Sequence, residues 1–352
     1  MNLDPLIGAT PSWMGGGDDA DGMVVSSRVR LARNLAGYPF PGRIEAEQQR
    51  QVIEQVLSAA RGSASLGAAT YYPMGPLGHS ERRLLVERHL ISPALAEDDG
   101  GGVLFNGDES LSVMINEEDH LRLQAIHPGT RGREAWAAVS SFDDELLGVL
   151  SCAHDPDLGF LTACPTNTGT GLRISVLIHL PALVLTEEME RVLQGLGQLS
   201  FAVRGVYGEG SNAAGNLFQV SNQATLGADE GGIVDSLIAV TSRLIECERD
   251  AQEALMEEAR AQVEDKVWRA WALLGSARVL SSQELMSLLS AVRLGRTLGL
   301  VGGVSSSFLN HLMIATQPSH LRAEAGTDLE AEERDMRRAD LVRRRMAGAE
   351  KP

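Results

Sequence analysis

The sequence predicts an α+β fold for residues up to about 228 and an almost entirely helical fold for the remainder. In the first part, short β-branched runs with period-two alternation are interspersed with amphipathic helical segments and Gly-containing loops. From Asp229 onwards, apolar residues recur at helical spacing, and this pattern continues towards Trp271. We therefore expect a loosely ordered lead-in over residues 1–22, a mixed domain over 23–243 and a helical domain over 244–352.

Composition narrows the possible functions. The 352-residue chain has a formal net charge of −16 and a pI of about 5.0, which disfavours bulk attraction to nucleic acid or to an acidic membrane. We see no secretory signal and no apolar run of about 20 residues, the length needed to span a membrane. The cysteines are odd in number and lack metal-type spacing: Cys152, Cys164 and Cys247. These features predict a cytoplasmic protein.

Lysine is nearly absent, because Lys266 and Lys351 are the only two in the chain. A Walker-type phosphate loop needs a Gly-Lys-Ser/Thr sequence, and this chain has none. Arginines would therefore have to hold the phosphates of any bound nucleotide, although a GC-rich genome would also explain an excess of arginine.

The first predicted strand is rich in arginine. Residues 23–34 alternate apolar and polar side chains, and the period of two places Arg28 and Arg30 on one face. Two guanidinium groups beside Ser26 and Ser27 suit a polyphosphate. An exposed basic edge strand is the alternative interpretation.

The next elements are helices and a hairpin. The amphipathic segments are Glu45–Ala60, Glu81–Leu90 and residues 133–153. Residues 103–115 form a predicted hairpin, with Asn106-Gly107 supplying the positive φ angles of its turn. The second arm of this hairpin delivers the chain into a cluster of charged residues.

This cluster is the stretch Asn116–Arg122 (NEEDHLR). If the strand continued, Glu117 and Glu118 would point to opposite faces, so that one carboxylate could face a reaction centre. Arg122 could hold a phosphate in a forked geometry. A solvated turn is the alternative.

Two further loops follow predicted strands or lead into them. Residues 164–171 form a polar, Gly-containing loop before a β-branched strand with Arg173 at its start. Thr186 followed by two glutamates predicts a helix start. Residues 203–210 are a strand entering a Gly-flanked loop that holds Glu209.

The helical part has its own start and stop signals. Ser281 and Glu284 form a capping box, and Gly295 lies where that helix is expected to end. Residues 329–346 are a charged helix with acid–base pairs at i,i+4 spacing.

The mixed domain thus presents several arginines and two separated carboxylates at strand ends or in loops. They are Arg28, Arg30, Arg122, Arg173, Arg204, Glu118 and Glu209. Phosphoryl transfer needs positioning and charge neutralisation more than covalent chemistry, and this set of side chains provides both.

Four motifs, in this order, resemble those of the phosphagen (guanidino) kinases, which phosphorylate creatine or arginine from ATP. They are Ser26–Arg30 (SSRVR), Asn116–Arg122 (NEEDHLR), Cys164–Arg173 (CPTNTGTGLR) and Arg204–Glu209 (RGVYGE). Only 25 residues precede Ser26, where those enzymes carry a helical domain, and the helical region after about residue 245 has no counterpart in them. In both of these features the sequence resembles the bacterial protein arginine kinases. Three short segments resemble the same group: ERHLISP (87–93), HLPAL (179–183) and TQP (316–318).

The resemblance implies a fold and a set of site residues. The fold is an antiparallel sheet flanked by helices, the glutamine-synthetase-like fold of phosphagen kinase catalytic domains, followed by an all-α domain for dimerisation and phosphoarginine sensing. Glu118 and Glu209 would hold the substrate guanidinium, with Glu118 as the base. ATP would be bound by Ser26, Ser27, Arg28, Val29, Arg30, His89, Arg122, Arg173, Ile174, Ser175, Val176, Leu177, Arg204, Gly205, Val206, Tyr207, Gly208 and Glu209. Mg²⁺ would be carried on the nucleotide, without assigned protein ligands.

The resemblance implies further roles, each with a structural alternative. Cys164 would be a substrate-site thiol, or a small thiol without a chemical role. His89 would lie at the nucleotide, or be a packed histidine. Arg334, Asp335, Arg338 and Ala339 match an RDxxRA motif and would form an allosteric phosphoarginine pocket, or part of a salt-bridged solvated helix.

By resemblance, the chain is an ATP-dependent kinase of arginine side chains in proteins, which marks substrates for Clp-type degradation and controls a stress response. Its partners would be proteins with exposed arginines, a second copy of the chain, a zinc-binding activator, a heat-shock repressor and a Clp ATPase/protease. Two alternatives remain: a kinase of free arginine, and a non-catalytic phosphoarginine-binding adaptor.

Overall fold

The computed structural model describes residues 3–15, 22–205 and 213–348. The strands are β1 (Val24–Arg33), β2 (Thr70–Pro73), β3 (Gly102–Phe105), β4 (Leu111–Ile115), β5 (Leu121–Pro128), β6 (His154–Asp155), β7 (Gly159–Phe160), β8 (Leu172–His179), β9 (Phe201–Gly205) and β10 (Leu217–Asn222). The helices are α1 (Ala46–Arg61), α2 (His79–Glu87), α3 (Pro93–Ala96), α4 (Gly132–Leu147), α5 (Pro181–Leu185), α6 (Met189–Gln198), α7 (Glu230–Glu258), α8 (Arg260–Ser276), α9 (Ser282–Thr297), α10 (Ser306–Ala315), α11 (Pro318–Ala325) and α12 (Ala331–Met346).

Eight of these strands form one antiparallel sheet, in the order β2-β3-β4-β5-β1-β8-β10-β9. The strands β6 and β7 pair separately. The sheet is flanked by helices and followed by the helical C-terminal region, which confirms the predicted α+β fold class. No helix in the described part of the chain has both the length and the apolar character that a membrane crossing requires.

The two faces of the sheet have different roles, because side chains alternate along each strand. On one face, Val29 and Leu31 of β1 pack in a core with Val139 and Phe142 of α4 and Val234 of α7. The intervening arginines of β1 consequently project from the opposite face. That face is the one on which the candidate site lies.

The C-terminal helices cover one end of this second face. Val25, Ile126 and Leu177 of the sheet share a core with α8, α9, α10 and α12. Trp13 is fully buried in the same core, together with Met14. The described part of the expected lead-in, residues 3–15, is therefore packed against the protein, because its apolar side chains are covered. The long helix α7 continues through the expected domain boundary at 243/244, and that boundary stays a prediction.

The predicted hairpin is present, but its turn differs from the prediction. Leu104 of β3 lies opposite Val113 of β4, and residues 106–110 connect the two strands. The residue with positive φ is Glu109 (62°), rather than Asn106-Gly107. The Glu109 carboxylate is ion-paired with buried Arg88, so a tertiary contact sets this turn.

Two helix boundaries also differ from the prediction. Thr186 ends α5 instead of starting a helix, because Glu187 takes a left-handed φ of 62° and the Glu188 N–H bonds the Leu183 carbonyl at 3.0 Å. Gly295 lies inside α9, where a β-carbon would overlap Val267 of α8. The N-cap at Ser281 is confirmed, since its hydroxyl accepts from the backbone N–H of Glu284.

A buried carboxylate joins α7 to the start of α5. Glu248 of α7 is 0% exposed and accepts hydrogen bonds from the backbone N–H groups of Ala182 and Leu183 and from Gln252. Burial outweighs these bonds and raises the pKa of Glu248 from 4.5 to about 7.

We expect this carboxyl to make the folded protein lose stability as the pH rises. Between pH 4.5 and 7 the folded state holds a proton that the unfolded state has released, so its stabilising contribution is complete below 4.5 and lost by about 7. The difference amounts to about 3 kcal/mol. Denaturant unfolding of the parent and of Glu248→Gln at pH 5 and pH 8 checks this. The variant should gain stability relative to the parent at the higher pH, and parallel curves would contradict the prediction.

Candidate active site

Four strands deliver arginines to one face of the sheet: β5, β1 and β8 are neighbours, and β9 is separated from β8 by β10. Arg30 of β1 lies opposite Arg173 of β8, and Arg122 of β5 pairs with the residue two positions beyond Arg30. Arg204 of β9 faces the same side from the sheet edge, since it lines the same cavity. This cavity has a volume of about 520 Å³. Its lining consists of Arg28, Arg30, Ala32, Glu118, Arg122, Cys164, Thr166, Asn167, Gly171, Arg173, Arg204, Gly205 and Gln219.

The guanidinium groups of the arginine cluster are buried close to one another. Burial, together with the charges of Arg122 and Arg173, lowers the pKa of Arg28 to about 10. The same causes, with Arg28 added, hold the pKa of Arg30 well below its usual value. In addition, the Nε atoms of Arg30 and Arg173 are buried and lack a hydrogen-bond partner among the described residues. Clustered cations with unpaired donors are what a polyphosphate ligand would satisfy.

The charged stretch forms a turn between β4 and β5, so the expected strand geometry for Glu117 and Glu118 is not present. Arg122 bridges both carboxylates, at 2.9 Å from Glu117 Oε2 and 2.8 Å from Glu118 Oε2. The side chain of Glu117 is 5% exposed and also accepts from the Ser92 hydroxyl, whereas that of Glu118 is 42% exposed. Glu117 therefore has a structural environment, and Glu118 faces the cavity.

The loop that contains Cys164 forms the opposite wall. Asn167 Nδ2 lies 3.4 Å from Glu118 Oε2, and Cys164 Sγ lies 3.0 Å from the hydroxyl of Thr166. Asp119 holds this loop beside the carboxylate turn, because its Oδ1 accepts from the backbone N–H of Ala163 at 2.7 Å. The thiol and the carboxylate thus border one space.

His89 lies at the inner end of the arginine face. Its ring packs against Trp13 at a centroid distance of 5.0 Å, and its φ is 62°. Burial and the charges of Arg28 and Arg30 lower its pKa to about 3, so the imidazole is neutral near pH 7. His89 also lines a small cleft beside Arg28, with Ser26, Ile126, Ser175, Leu177 and Gln219.

The structure brings most predicted site residues together, with exceptions. The side chains of Val29, Ile174 and Val176 pack in the core on the other face. Ser27 is fully buried and donates to the Gly129 carbonyl. Val206, Tyr207, Gly208 and Glu209 lie outside the described residues.

The predicted accessory motif lies far along the chain, on α12. Arg338 is 1% exposed and donates to the carbonyls of Thr316 (3.0 Å) and Leu280 (2.8 Å) and to the carboxylate of Asp335. Arg334 donates to the Leu329 carbonyl at 2.8 Å, and Ala339 is fully buried. These bonds connect α12 to the chain segments that precede α9 and α11.

Among the cavity residues that were not predicted as site residues, two bond to predicted ones: Asn167 to Glu118, and Gln219 to Arg28. Asn167 belongs to a motif that we quoted, but nothing in the sequence indicated that its amide reaches Glu118. Gln219 accepts from Arg28 at 3.2 Å. It lies on β10, whose pairing with β8 depends on contacts distant in sequence. The alternation of apolar and polar residues along β10 was the one sequence feature that could have indicated that Gln219 faces the cavity.

Comparisons with known proteins agree with this geometry. Residues 51–251 match a family model described as ATP:guanido phosphotransferase, C-terminal catalytic domain. Residues 260–352 match one described as Protein-arginine kinase McsB C-terminal domain. Among solved structures, lombricine kinase superposes with a TM-score of 0.58 at 26% identity, over 70% of this chain and 72% of that one. A taurocyamine kinase from Schistosoma mansoni superposes with a TM-score of 0.61 at 23% identity, over 79% and 41% of the two chains, and supports the fold alone.

Full-length relatives are closer in sequence. The protein-arginine kinase of Moorella thermoacetica is 49% identical over 96% of this chain and 97% of its own length. Those of Halalkalibacterium halodurans and Bacillus subtilis are 48% and 44% identical, each over 98% of this chain and over 98% and 96% of their own lengths. The chain therefore belongs to the protein-arginine kinase family, whose members carry an ATP:guanido phosphotransferase catalytic domain.

Proposed function

We propose that this protein transfers the γ-phosphoryl group of ATP to arginine side chains of proteins, at the cavity on the arginine face of the sheet. The observation that carries the proposal is that one cavity contains both a cluster of arginines and an exposed carboxylate. Arg30 and Arg173, whose buried Nε atoms have no partner within the described residues, line the cavity together with Glu118, whose side chain is 42% exposed. The arginines can bind the phosphates of ATP, and the carboxylate of Glu118 can bind a guanidinium.

Each group has a definable role in the transfer. Arg28, Arg30, Arg122, Arg173 and Arg204 neutralise the phosphates and the charge that develops on them. Glu118 aligns the substrate guanidinium and accepts its proton as the N–P bond forms and the bond from the γ-phosphorus to the ADP oxygen breaks. Arg122 and Asn167 hold Glu118 in place. Glu209, outside the described residues, is proposed as the second carboxylate at the guanidinium.

The cavity fits a magnesium ion that enters with the nucleotide. Within the described ranges, no three His, Cys, Asp or Glu side chains are grouped as a protein-built metal site would require. Mg²⁺ commonly binds through substrate phosphates and water, and there it neutralises phosphate charge. Arg30 and Arg173 would hold the phosphate oxygens beside it. Cys164, at the cavity wall, is proposed to lie against the substrate guanidinium, and His89 against the nucleotide.

The wider biology is also proposed. The relatives named above are protein-arginine kinases, which supports protein substrates over free arginine. We propose that the modified proteins are directed to Clp-type degradation in the cytoplasm as part of a stress response. A homodimer, a zinc-binding activator and a heat-shock repressor are proposed partners on the same family grounds.

The test uses purified protein, Mg-ATP and casein, with free arginine in a parallel reaction. Mass spectrometry that preserves acid-labile phosphate should find phosphoarginine on casein. Phosphate on free arginine alone would favour the metabolite kinase. No transfer in either reaction, also after addition of a cell extract as a source of activator, would favour the adaptor.

We propose further that the Arg334–Ala339 motif binds phosphoarginine. Arg338 would then exchange its bonds with backbone carbonyls for the phosphate, and Asp335 would receive the guanidinium. Calorimetric titration with free phosphoarginine should show binding that Asp335→Asn weakens about tenfold, the loss expected for one charge-assisted bond. Asp340→Asn, one turn along the same helix, is the matched control. Equal binding by parent and Asp335→Asn would contradict the pocket.

A further inference from the structure

The connection between β9 and β10 has a described foot, residues 213–216, which follows the segment containing Glu209. Both ends of this connection reach the candidate site, since Arg204 of β9 and Gln219 of β10 line the cavity. The foot is tied to the sheet by the bond from the Leu180 N–H to the Asn216 carbonyl, at 3.0 Å. The position of the foot therefore bears on the geometry of the site.

The C-terminal region contacts this foot through α9. A β-carbon at Gly215 would lie 2.8 Å from the carbonyl oxygen of Met286, so the foot and the helix backbone are in close approach. The Asn216 side-chain amide donates to the hydroxyl of Ser290 at 2.9 Å. Ser290 Oγ is also hydrogen-bonded to Nε2 of His179, at the end of β8, at 2.8 Å.

Two residues of this node are buried, and Asn216 is half-buried. Ser290 is 5% exposed and His179 is 1% exposed. Burial and the charge of Arg293 hold the pKa of His179 well below its usual value, so its ring is neutral. Beside the node lies a cavity of about 700 Å³, which both the foot and α9 line. Ala214 of the foot packs against the apolar cluster that contains Met286 of α9, and the node adds polar bonds to this packing.

We propose that Ser290 is a positioning residue for phosphoryl transfer: its hydroxyl joins Asn216 and His179, so that α9 of the C-terminal region holds the foot of the Glu209-containing connection. This role rests on the proposed function, in which Glu209 binds the substrate guanidinium. Small misplacements of a catalytic group are costly, because a shift of about 1 Å can lower a rate about 10²-fold.

The same helix links the node to the accessory motif. The chain entering α9 is bonded to α12 in both directions: Leu280 N–H donates to the Asp335 carbonyl at 3.1 Å, and Arg338 donates to the Leu280 carbonyl at 2.8 Å. One rigid helix therefore lies between the Arg334–Ala339 motif and the foot, with Ser290 at the contact.

The test compares Ser290→Ala with Ser287→Ala in the full-length protein. Ser287 lies on the same helix, and its hydroxyl bonds the carbonyl of Gln283 within that helix. We expect Ser290→Ala to lower kcat for casein arginine phosphorylation about 10- to 100-fold. KM for ATP should stay close to that of Ser287→Ala. The unfolding midpoint of Ser290→Ala should fall, because His179 and Asn216 lose a hydrogen-bond partner, so kcat is compared at a temperature well below the midpoints of both variants.

Asn216→Gly provides a second variant, because glycine tolerates the positive φ of 54° at this position while removing the amide. It should reproduce the loss in kcat, and the double variant should be no worse than either single variant. Equal kcat in the Ser290 and Ser287 variants, with an active parent, would overturn the positioning role. An inactive parent would instead overturn the proposed function. A loss in kcat that disappears when the variants are assayed well below their unfolding midpoints would reduce Ser290 to a structural role.

Discussion

Replacing Glu118 by Gln is expected to lower the turnover of protein arginine phosphorylation about 10²–10⁴-fold, the contribution typical of a positioned general base. The amide keeps the shape of the side chain and can still accept from Arg122, which now donates to Glu118 Oε2 at 2.8 Å. It loses the negative charge that aligns a guanidinium and the ability to take its proton. Because the Glu118 side chain is 42% exposed, the unfolding midpoint should change little.

Glu97→Gln is the matched control for this experiment. Glu97 is 61% exposed and ion-paired with Arg83 at 2.8 Å, but it does not line the cavity. Initial rates of phosphate incorporation into casein, together with the thermal midpoint, should be measured for both variants. A Glu118→Gln enzyme as active as the Glu97→Gln enzyme would exclude Glu118 as the base. The Glu118 side chain could then contribute to binding only.

The neighbouring carboxylate shows what sequence reasoning reached and what it did not. Adjacent glutamates in Asn116–Arg122 indicated that one of the two carboxylates could face a reaction centre. The alternating strand offered as the reason is absent. The division instead comes from Ser92 and Arg122, which bury Glu117 among donors and leave Glu118 at the cavity. Ser92 is distant in sequence, and no local pattern pointed to it.

The arginines on this face of the sheet were also predicted only in part from the sequence. Alternation along one strand placed Arg28 and Arg30 on a common face, and the structure confirms this. The juxtaposition of Arg30 with Arg173 depends on the register between β1 and β8, which are separated by more than a hundred residues of chain. The family resemblance identified the arginines of the site. Their positions side by side depend on the pairing of the strands, and the core on the other face of the sheet sets that pairing.

The second large effect is expected at Arg30. Arg30→Met should weaken ATP binding about 10- to 100-fold, since a charge-assisted hydrogen bond contributes about 1.5–3 kcal/mol. The ligand-free variant should nevertheless be as stable as the parent or more stable. Burial and the charges of Arg28, Arg122 and Arg173 already hold the pKa of Arg30 well below its usual value, and its Nε has no partner among the described residues. Methionine fills similar space without the charge, which relieves the repulsion.

Thermal unfolding with and without Mg-ATP distinguishes these two contributions. In the parent, the nucleotide should raise the midpoint strongly, because it satisfies the cation cluster. In Arg30→Met, the ligand-free midpoint should be equal or higher and the nucleotide-induced increase should be much smaller. Arg50→Met is the control, because Arg50 is 68% exposed and pairs with Glu47 on the surface of α1. A ligand-free Arg30→Met protein that is clearly less stable than the parent would mean that Arg30 stabilises the fold. That result would contradict the claim that the arginine cluster lowers the stability of the ligand-free protein.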